Sequence, residues 1–318
     1  MKQTVLVTGA GGYIGGQTVL RLHEAGHDII GLDLAGASET LRKLCKEFYE
    51  CDFDDIPSTD LLRKHNIDAI VHCAGSSLVG PSLLNPAVYY ENNFVKTKHL
   101  MDYLVNSGLT EVRVVFSSSA AVYGEPIMTP CREEDPPSPI SPYGESKYMI
   151  ELMLQSYCQA YGTNYVAFRY FNACGADPLA RHGQTPGATH IMAKLLEGIR
   201  NNAEFVLYGT SYPTPDGSCI RDYIHVDDIA QAHVRAIESD IPSGIYNLGT
   251  TTGNSNKEVI NTVCSVIGID PVISTGPVRV GDPAVLTASA EKWNRVSGWV
   301  PKYKLTDMIA HAWAWYNR

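Results

Sequence analysis

The residues best suited to chemistry lie in segment 141–147, where a phenol and an ammonium stand four positions apart. A proline-rich run ends here and an apolar pattern of helical period begins. Ser141 can cap that helix, and Pro142 suits its first position, where the backbone N–H has no intrahelical partner. Tyr143 and Lys147 then share one helical face, which makes them a candidate proton-transfer pair.

This spacing alone is weak evidence, because a packed tyrosine and a solvated lysine often stand four residues apart by chance. Three hydroxyl residues, Ser117, Ser118 and Ser119, end a predicted strand, and the loop that follows is long enough to bring Ser119 back to Tyr143. Serines at a strand end more often satisfy local backbone groups. A serine, a tyrosine and a lysine at one mouth of a nucleotide-binding fold would nevertheless form a catalytic set.

A glycine-rich loop follows the first predicted strand and leads into a helical pattern. Its backbone is expected to contact a cofactor at Gly9, Gly12, Tyr13, Ile14 and Gly15. Glycines permit a tight turn and close backbone approach, and the helix N-terminus offers N–H groups to a pyrophosphate. Glycines alone indicate little, but strand, loop and helix in this order predict a dinucleotide site.

The second predicted strand ends at Asp33. A carboxylate at this place accepts hydrogen bonds from an adenosine ribose and repels a 2′-phosphate, which favours NAD over NADP. The alternative is an acidic residue that ends a strand without binding a ligand. The preceding glycine loop favours the binding role over this alternative.

Further strand-like runs recur at the spacing of βαβ units, so the pattern predicts an α/β fold with a Rossmann-type, doubly wound parallel sheet. Ligands of such sheets bind at the carboxyl ends of the strands. Two of these ends carry candidate residues. Asp52 and Phe53 are expected to recognise adenine, and the small residues at Cys73, Ala74 and Gly75 leave room for the cofactor.

Composition restricts the class of protein. The 318 residues have a net charge of −9 and a pI of about 5.5, which argues against a nucleic-acid partner. No apolar run approaches the ~18 residues of a membrane span, and the N-terminus does not resemble a signal peptide. The eight cysteines are scattered without metal-ligand spacing, so we expect reduced thiols, a cytoplasmic location, no membrane association and no metal.

Over nearly its whole length the sequence resembles the extended short-chain dehydrogenase/reductase family. The tyrosine–lysine pair marks the superfamily, whereas the Tyr-Pro-Thr motif at 212–214 and the Arg-Asp-Tyr-Ile-His-Val motif at 221–226 are typical of its sugar-nucleotide epimerases. The other segments that carry the resemblance are 7–15, 72–75, 89–93, 116–124, 141–147, 169–172 and 245–249.

The resemblance implies a resident NAD and an exchange of UDP-glucose and UDP-galactose by reversible oxidation at C4 through a 4-keto sugar. Tyr143 would be the catalytic base, Lys147 would hold the nicotinamide ribose, and Ser119 would contact the sugar hydroxyl. Asn92, Ser117 and Tyr170 would line the cofactor site.

The second half of the chain would bind the UDP-hexose. The resemblance places residues of this half around the nucleotide-sugar: Asn172, His190, Ile191, Tyr208, Arg221, Arg279, Asp282 and Leu286. Tyr208 would lie beside the uracil, and the two arginines suit a diphosphate because guanidinium groups pair with phosphate oxygens bidentately. A surface ion pair is the alternative for each arginine, and a helix cap is the alternative for His190.

Three positions depart from the family pattern. Ser77 stands where many members carry a lysine near the substrate phosphate, and Ala121 replaces a threonine after the serine run. Leu286 occupies the position thought to control room for a 2-acetamido group, and its modest size favours use of N-acetylated sugars as well.

The same scaffold supports other activities. A dehydratase needs a further acid/base pair after the serine run, where this chain has Ala120 and Ala121. A UDP-uronic acid 4-epimerase or a decarboxylase stays open as an alternative. A cofactor-sensing protein without activity would be expected to lack Tyr143 or Lys147, and both are present.

The expected organisation is a cofactor domain at 1–172, rejoined by 222–250, and a smaller α/β substrate-binding domain at 173–318. The resemblance also implies a homodimer that pairs through helices at 92–106 and 143–161.

Overall fold

The computed structural model describes residues 1–185, 187–188, 190–278 and 282–318. The strands in these ranges follow in chain order: β1 (Thr4–Thr8), β2 (Asp28–Asp33), β3 (Glu47–Glu50), β4 (Ala69–His72), β5 (Arg113–Ser119), β6 (Tyr165–Tyr170), β7 (Asn172–Cys174), β8 (Phe205–Tyr208), β9 (Ile220–His225), β10 (Gly244–Leu248), β11 (Gly253–Ser255), β12 (Ile273–Gly276) and β13 (Val285–Leu286).

The helices alternate with these strands through most of the chain. They are α1 (Tyr13–Glu24), α2 (Glu39–Leu44), α3 (Ile56–Thr59), α4 (Leu61–Lys64), α5 (Val79–Leu84), α6 (Pro86–Tyr89), α7 (Lys96–Asn106), α8 (Pro142–Tyr161), α9 (Ile191–Asn201), α10 (Val226–Glu238), α11 (Asn256–Ile267), α12 (Glu291–Ser297) and α13 (Leu305–Tyr316).

Seven parallel strands form the main sheet in the order β10-β6-β5-β4-β1-β2-β3. Alternate side chains of these strands enter two different apolar cores. Val5 and Val7 pack with residues of α1 and α10, whereas Leu6 packs with residues of α7 and α8. Helices therefore cover both faces, and the predicted α/β fold with a doubly wound parallel sheet is confirmed.

A smaller unit lies beside the main sheet. In it β9 pairs with β7, β11 and β13, and β8 pairs with β12. A separate apolar core joins α9, α11 and α13. Within 222–250, α10 packs on α1 and β10 adds to the main sheet beside β6. The exact domain boundaries stay a prediction.

In the part of the chain that the structure describes, no helix has the length and apolar character required to cross a membrane. Within the same ranges, no group of three or more His, Cys, Asp or Glu side chains is placed to hold a metal ion.

Candidate active site

A cavity of about 950 Å³ opens where the carboxyl ends of the main-sheet strands face the smaller unit. This volume is near the upper end of the range of about 300–1,000 Å³ for ligand pockets. Most residues proposed from the sequence line its wall: Gly9, Gly12, Tyr13, Ile14, Gly15, Asp33, Asp52, Phe53, Cys73, Ala74, Gly75, Asn92, Ser119, Tyr143, Tyr170, Asn172, His190, Ile191, Arg221, Asp282 and Leu286.

Tyr143 stands in the first turn of α8, where the helix meets the cavity. The Ser141 hydroxyl caps this helix by accepting a hydrogen bond from the Gly144 N–H at 3.2 Å. Pro142 occupies the first helical position, as the sequence predicted. The Tyr89 ring packs edge-on against the phenol ring at 6.4 Å, so the cap and this contact fix where the hydroxyl points.

Lys147 lies one turn further along α8 and is only 5% exposed. Its ammonium donates a hydrogen bond to the Ser117 backbone carbonyl at 2.8 Å and stands 5.9 Å from the centre of the Tyr143 ring. Lys147 and Ser117 are not among the described residues that form the cavity wall itself. The ammonium therefore supports the strand end on which Ser119 stands.

Burial changes the pKa values of both groups. Burial lowers the pKa of Lys147 to about 8, while the neighbouring Cys73 and Glu151 oppose this change. Burial raises the pKa of the Tyr143 phenol, and a hydrogen bond with Ser119 opposes the rise. In the protein alone, the phenol is therefore held toward its neutral form.

The serine run places its first and last hydroxyls in different environments. The Ser119 hydroxyl lies at the cavity and also accepts a hydrogen bond from the Ala121 N–H at 3.2 Å. The Ser117 hydroxyl donates to the Cys73 thiol at 3.1 Å and lies 3.0 Å from the Tyr170 hydroxyl. The serine run therefore satisfies a nearby backbone N–H and also places a hydroxyl at the cavity.

The turn between β1 and α1 is tight enough to require glycine. Gly9 has φ +70°, and its carbonyl accepts a hydrogen bond from the Gly12 N–H at 3.0 Å. A Cβ at Gly15 would stand 2.1 Å from the Gly9 carbonyl oxygen, which no larger residue tolerates. Helix α1 begins without a side-chain cap and without an acidic residue in its first turn. Its N-terminus therefore suits a pyrophosphate.

Asp33 ends β2 beside this loop. Its carboxylate accepts hydrogen bonds from the Gly11 N–H at 3.0 Å and the Ala35 N–H at 3.1 Å. The half-buried carboxylate still lines the cavity, so it can accept further hydrogen bonds from ribose hydroxyls. Together with the glycine loop, it forms a site that fits NAD.

The next part of the wall comes from the ends of β3 and β4 and the helical segment before α7. Asp52 forms an ion pair with Lys96, and Phe53 is buried with its ring 4.8 Å from that of His72. The Asn92 amide donates to the Ser76 hydroxyl at 3.2 Å. Asn92 belongs to a π-helical turn, a local feature often found at functional sites.

The opposite wall belongs to the smaller unit. Arg221 on β9 is 7% exposed, and its guanidinium donates to the Asp282 carboxylate at 3.4 Å. Leu286 on β13 is half-buried at the cavity. His190 occupies the N-cap position of α9 but makes no side-chain capping bond, so it is not a functional cap.

One predicted substrate residue stands apart from this wall. Tyr208 is not among the described lining residues, and its ring lies against Gly276 of the neighbouring strand β12. Arg279 lies outside the described residues.

Sequence reasoning missed several residues of the same wall. Cys219 and Tyr223 line the cavity with Arg221, and strand periodicity around Arg221 would have identified them. Lys194 also lines it, three residues after Ile191 and therefore on the same helical face. Ser77 and Ala121, two of the three departures from the family pattern, are at the cavity as well.

Comparison with known proteins identifies the family of this chain. The sequence profile of the NAD dependent epimerase/dehydratase family matches residues 5–249. The chain belongs to this family. A UDP-glucose 4-epimerase from Halalkalibacterium halodurans is 44% identical over 98% of this chain and 95% of its own length.

Solved structures of family members agree with the fold. A crystal structure of a UDP-glucose-4-epimerase from Stenotrophomonas maltophila, with bound NAD and formylated UDP-arabinopyranose, has a TM-score of 0.93 and 32% identity, and the match covers 99% of this chain and 98% of that one. A UDP-glucose 4-epimerase from Brucella ovis in complex with NAD has a TM-score of 0.92 and 34% identity, with 98% of each chain covered.

Proposed function

We propose that this protein is an NAD-dependent isomerase that interconverts UDP-glucose and UDP-galactose by reversible oxidation at C4 through a 4-keto sugar. The observation that carries this proposal is the shared cavity. The glycine loop and Asp33 lie in one part of its wall and Arg221 in another, with Tyr143 and Ser119 also lining it. A dinucleotide and a nucleotide-sugar can therefore meet at one phenol.

Tyr143 is the residue we assign as the base that takes the O4 proton and returns it. Ser119 holds the same sugar oxygen by a hydrogen bond, and Lys147 fixes the end of β5 through the Ser117 carbonyl. When bound, NAD⁺ accepts and returns the hydride, and its cationic ring adds positive charge beside the buried phenol. The proton and the hydride both return to the sugar, so no external reductant is consumed.

Arg221 is the residue we assign to the diphosphate. Its guanidinium is fixed by the Ile220 carbonyl at 2.9 Å and by Asp282, so its orientation is set before a ligand arrives. A fixed guanidinium is well suited to phosphate oxygens. Arg279 and Tyr208 remain predictions from the resemblance alone.

The N-acetylated pair, UDP-N-acetylglucosamine and UDP-N-acetylgalactosamine, is a second proposed substrate pair. It is supported by the half-buried side chain of Leu286 at the cavity wall. A leucine leaves more room there than a tyrosine would.

We also propose a cytoplasmic homodimer. The eight cysteines are free thiols, as expected in a reducing compartment. Helices α7 and α8 contact each other, and α8 has two exposed apolar side chains, Leu152 and Tyr161.

The test of function is to incubate the purified protein with UDP-galactose, without added cofactor, and to separate the products. We expect UDP-glucose to accumulate to equilibrium. The Tyr143→Phe variant should lose about 10²–10⁴-fold in turnover, the usual cost of removing a positioned base. Circular dichroism provides the control that the variant is folded.

Two outcomes would contradict the proposal. Near-normal turnover by Tyr143→Phe would exclude Tyr143 as the base. Turnover of UDP-glucuronic acid without turnover of UDP-galactose would favour the alternative, a UDP-uronic acid 4-epimerase.

A further inference from the structure

A fully buried ion pair lies beneath the candidate active site. Arg169 on β6 is 1% exposed and Glu151 on α8 is 0% exposed. The guanidinium donates two hydrogen bonds to the carboxylate, from Nη2 to Oε2 at 2.7 Å and from Nε to Oε1 at 3.0 Å. The Ser118 hydroxyl donates a third to Oε1 at 2.5 Å. Neither charge lines the cavity, so neither has a place in the chemistry assigned above.

The pair joins the three elements that carry the reacting groups. Glu151 stands four residues after Lys147, which stands four after Tyr143, so all three share one face of α8. Ser118 lies between the serine whose carbonyl holds the ammonium and the serine at the cavity. Arg169 directly precedes Tyr170, whose hydroxyl meets the Ser117 hydroxyl at 3.0 Å.

Stability alone does not explain such a pair. Desolvation of two charges is costly, and replacement of a buried ion pair by apolar residues is often neutral or stabilising. The position of Glu151 suggests another role. Glu151 lies one helical turn from Lys147, whose pKa burial lowers, and the charge of its carboxylate favours the protonated lysine.

We propose that Glu151 is a positioning residue: its charge keeps Lys147 protonated, its bond to Ser118 aligns β5 with α8, and Arg169 holds the carboxylate in place. This inference rests on the proposed function, since it assigns Tyr143 and Lys147 their roles. Glu151 acts only through these neighbours and touches no substrate.

Other titratable groups face Lys147 from the surrounding elements. Burial lowers the pKa of His72 to about 3 and raises that of the Cys73 thiol to about 11, so both stay neutral near pH 7. Tyr143 is the remaining group, and burial raises its pKa.

Three more groups face the ion pair itself. The Arg169 guanidinium lies 4.7 Å from the centre of the Tyr123 ring. Burial raises the pKa of Tyr165 to about 12, and it raises that of Tyr123 as well, so both phenols stay neutral. Glu133, whose carbonyl accepts from Arg169, contributes a carboxylate that is present in every variant below.

The test compares variants whose charge changes have opposite signs. Glu151→Gln removes a negative charge, which disfavours the ammonium of Lys147 and favours the phenolate of Tyr143. Both pKa values should fall, and the pH profile of kcat should move to lower pH by about one pH unit. Arg169→Met leaves the carboxylate unbalanced, so the profile should move to higher pH. KM for UDP-galactose should stay near its wild-type value in both.

Ser118→Ala is the matched control, because it removes a hydrogen bond from the same carboxylate without changing charge. It should lower kcat and leave the profile at the wild-type pH. A shift in the same direction for Glu151→Gln and Arg169→Met, or no shift in either folded variant, would overturn the proposal.

If the single charge variants do not fold, the double variant Glu151→Gln/Arg169→Met carries the test, because no unpaired charge remains. The two charge changes oppose each other in this variant, so its profile should move to lower pH by less than that of Glu151→Gln, because Glu151 is the charge that acts on Lys147. A shift to higher pH would refute the inference.

A second measurement separates this inference from the proposed function. The ultraviolet absorbance of phenolate is titrated in each protein, and the signal of its Tyr143→Phe counterpart is subtracted. The Tyr143 pKa should fall in Glu151→Gln. Absence of UDP-hexose turnover in the wild-type protein would refute the function, whereas an unchanged phenol titration would refute the role of Glu151.

Discussion

Burial drives Tyr143 and Lys147 toward their neutral forms. It raises the pKa of the phenol and lowers that of the ammonium to about 8. A proton-transfer pair in this state needs nearby charge to work near pH 7. Glu151 favours the ammonium of Lys147, whereas the cationic ring of a bound NAD⁺ would favour the phenolate of Tyr143. Retention of the cofactor and the chemistry of the base are therefore linked.

At Leu286 the size of one side chain is expected to set sugar preference. Leu286→Tyr should lower turnover of UDP-N-acetylgalactosamine by about 5–150-fold and largely keep that of UDP-galactose, because overpacking against the acetamido group costs roughly 1–3 kcal/mol. Product separation with each sugar measures the ratio of the two rates.

Leu286→Met is the matched control, since it conserves volume and should keep both activities. Equal loss of both activities in Leu286→Tyr would show that the position does not discriminate. Absence of any activity on the N-acetylated sugar in the wild-type protein would remove this second substrate pair.

At the scale of elements, the sequence predicted the features that depend on residues close together in the chain. The pair Tyr143–Lys147 follows from one helical turn after a Ser-Pro start, and the capping bond of Ser141 matches that prediction. Asp33 followed from its place at the end of a strand after the glycine loop. Each of these inferences needed only residues close together in the chain.

Contacts between distant segments could not be predicted in this way. The buried pair of Arg169 and Glu151 joins two elements whose register is fixed only in the folded sheet. The raised pKa of Tyr143 depends on burial by several segments. Tyr208 was placed by resemblance, whereas the structure sets its ring against Gly276 and not in the described cavity wall.

Helix α9 presents one further cation to the cavity. The exposed ammonium of Lys194 forms no ion pair or hydrogen bond with the other residues that the structure describes, so it can reach a phosphate. Lys194→Ala should raise KM for UDP-galactose about fivefold with kcat unchanged, since an exposed charge contact contributes roughly 1 kcal/mol. The rise should shrink at high salt.

Lys43→Ala is a suitable control, because Lys43 is 71% exposed and pairs only with Glu39 among the described residues. Steady-state kinetics at two ionic strengths compare the variants. An unchanged KM in Lys194→Ala, or an equal rise in Lys43→Ala, would exclude a specific role for Lys194.

At the scale of the whole molecule, one helix serves two purposes. The buried face of α8 carries Lys147 and Glu151, while Leu152 on the outer face is 46% exposed. Leu152 is an exposed apolar side chain on the helix that carries Tyr143, and it suits contact with a second copy of the chain. In the proposed dimer, the second copy would pack on the exposed face of α8, while the ion pair of Arg169 and Glu151 fixes its buried face.

Leu152→Glu should convert the dimer to a monomer, because it places a charge in the centre of an apolar contact between two copies. Size-exclusion chromatography with light scattering measures the mass. Val300→Glu is the control, since Val300 is 60% exposed and follows Trp299, which packs in the apolar core with α1 and α10 on the other face of the main sheet from α8. If the wild-type protein is a monomer, or if both variants keep the dimer, α8 is not the contact. If Leu152→Glu is monomeric and also loses kcat while KM is kept, the outer support of α8 contributes to the position of Tyr143.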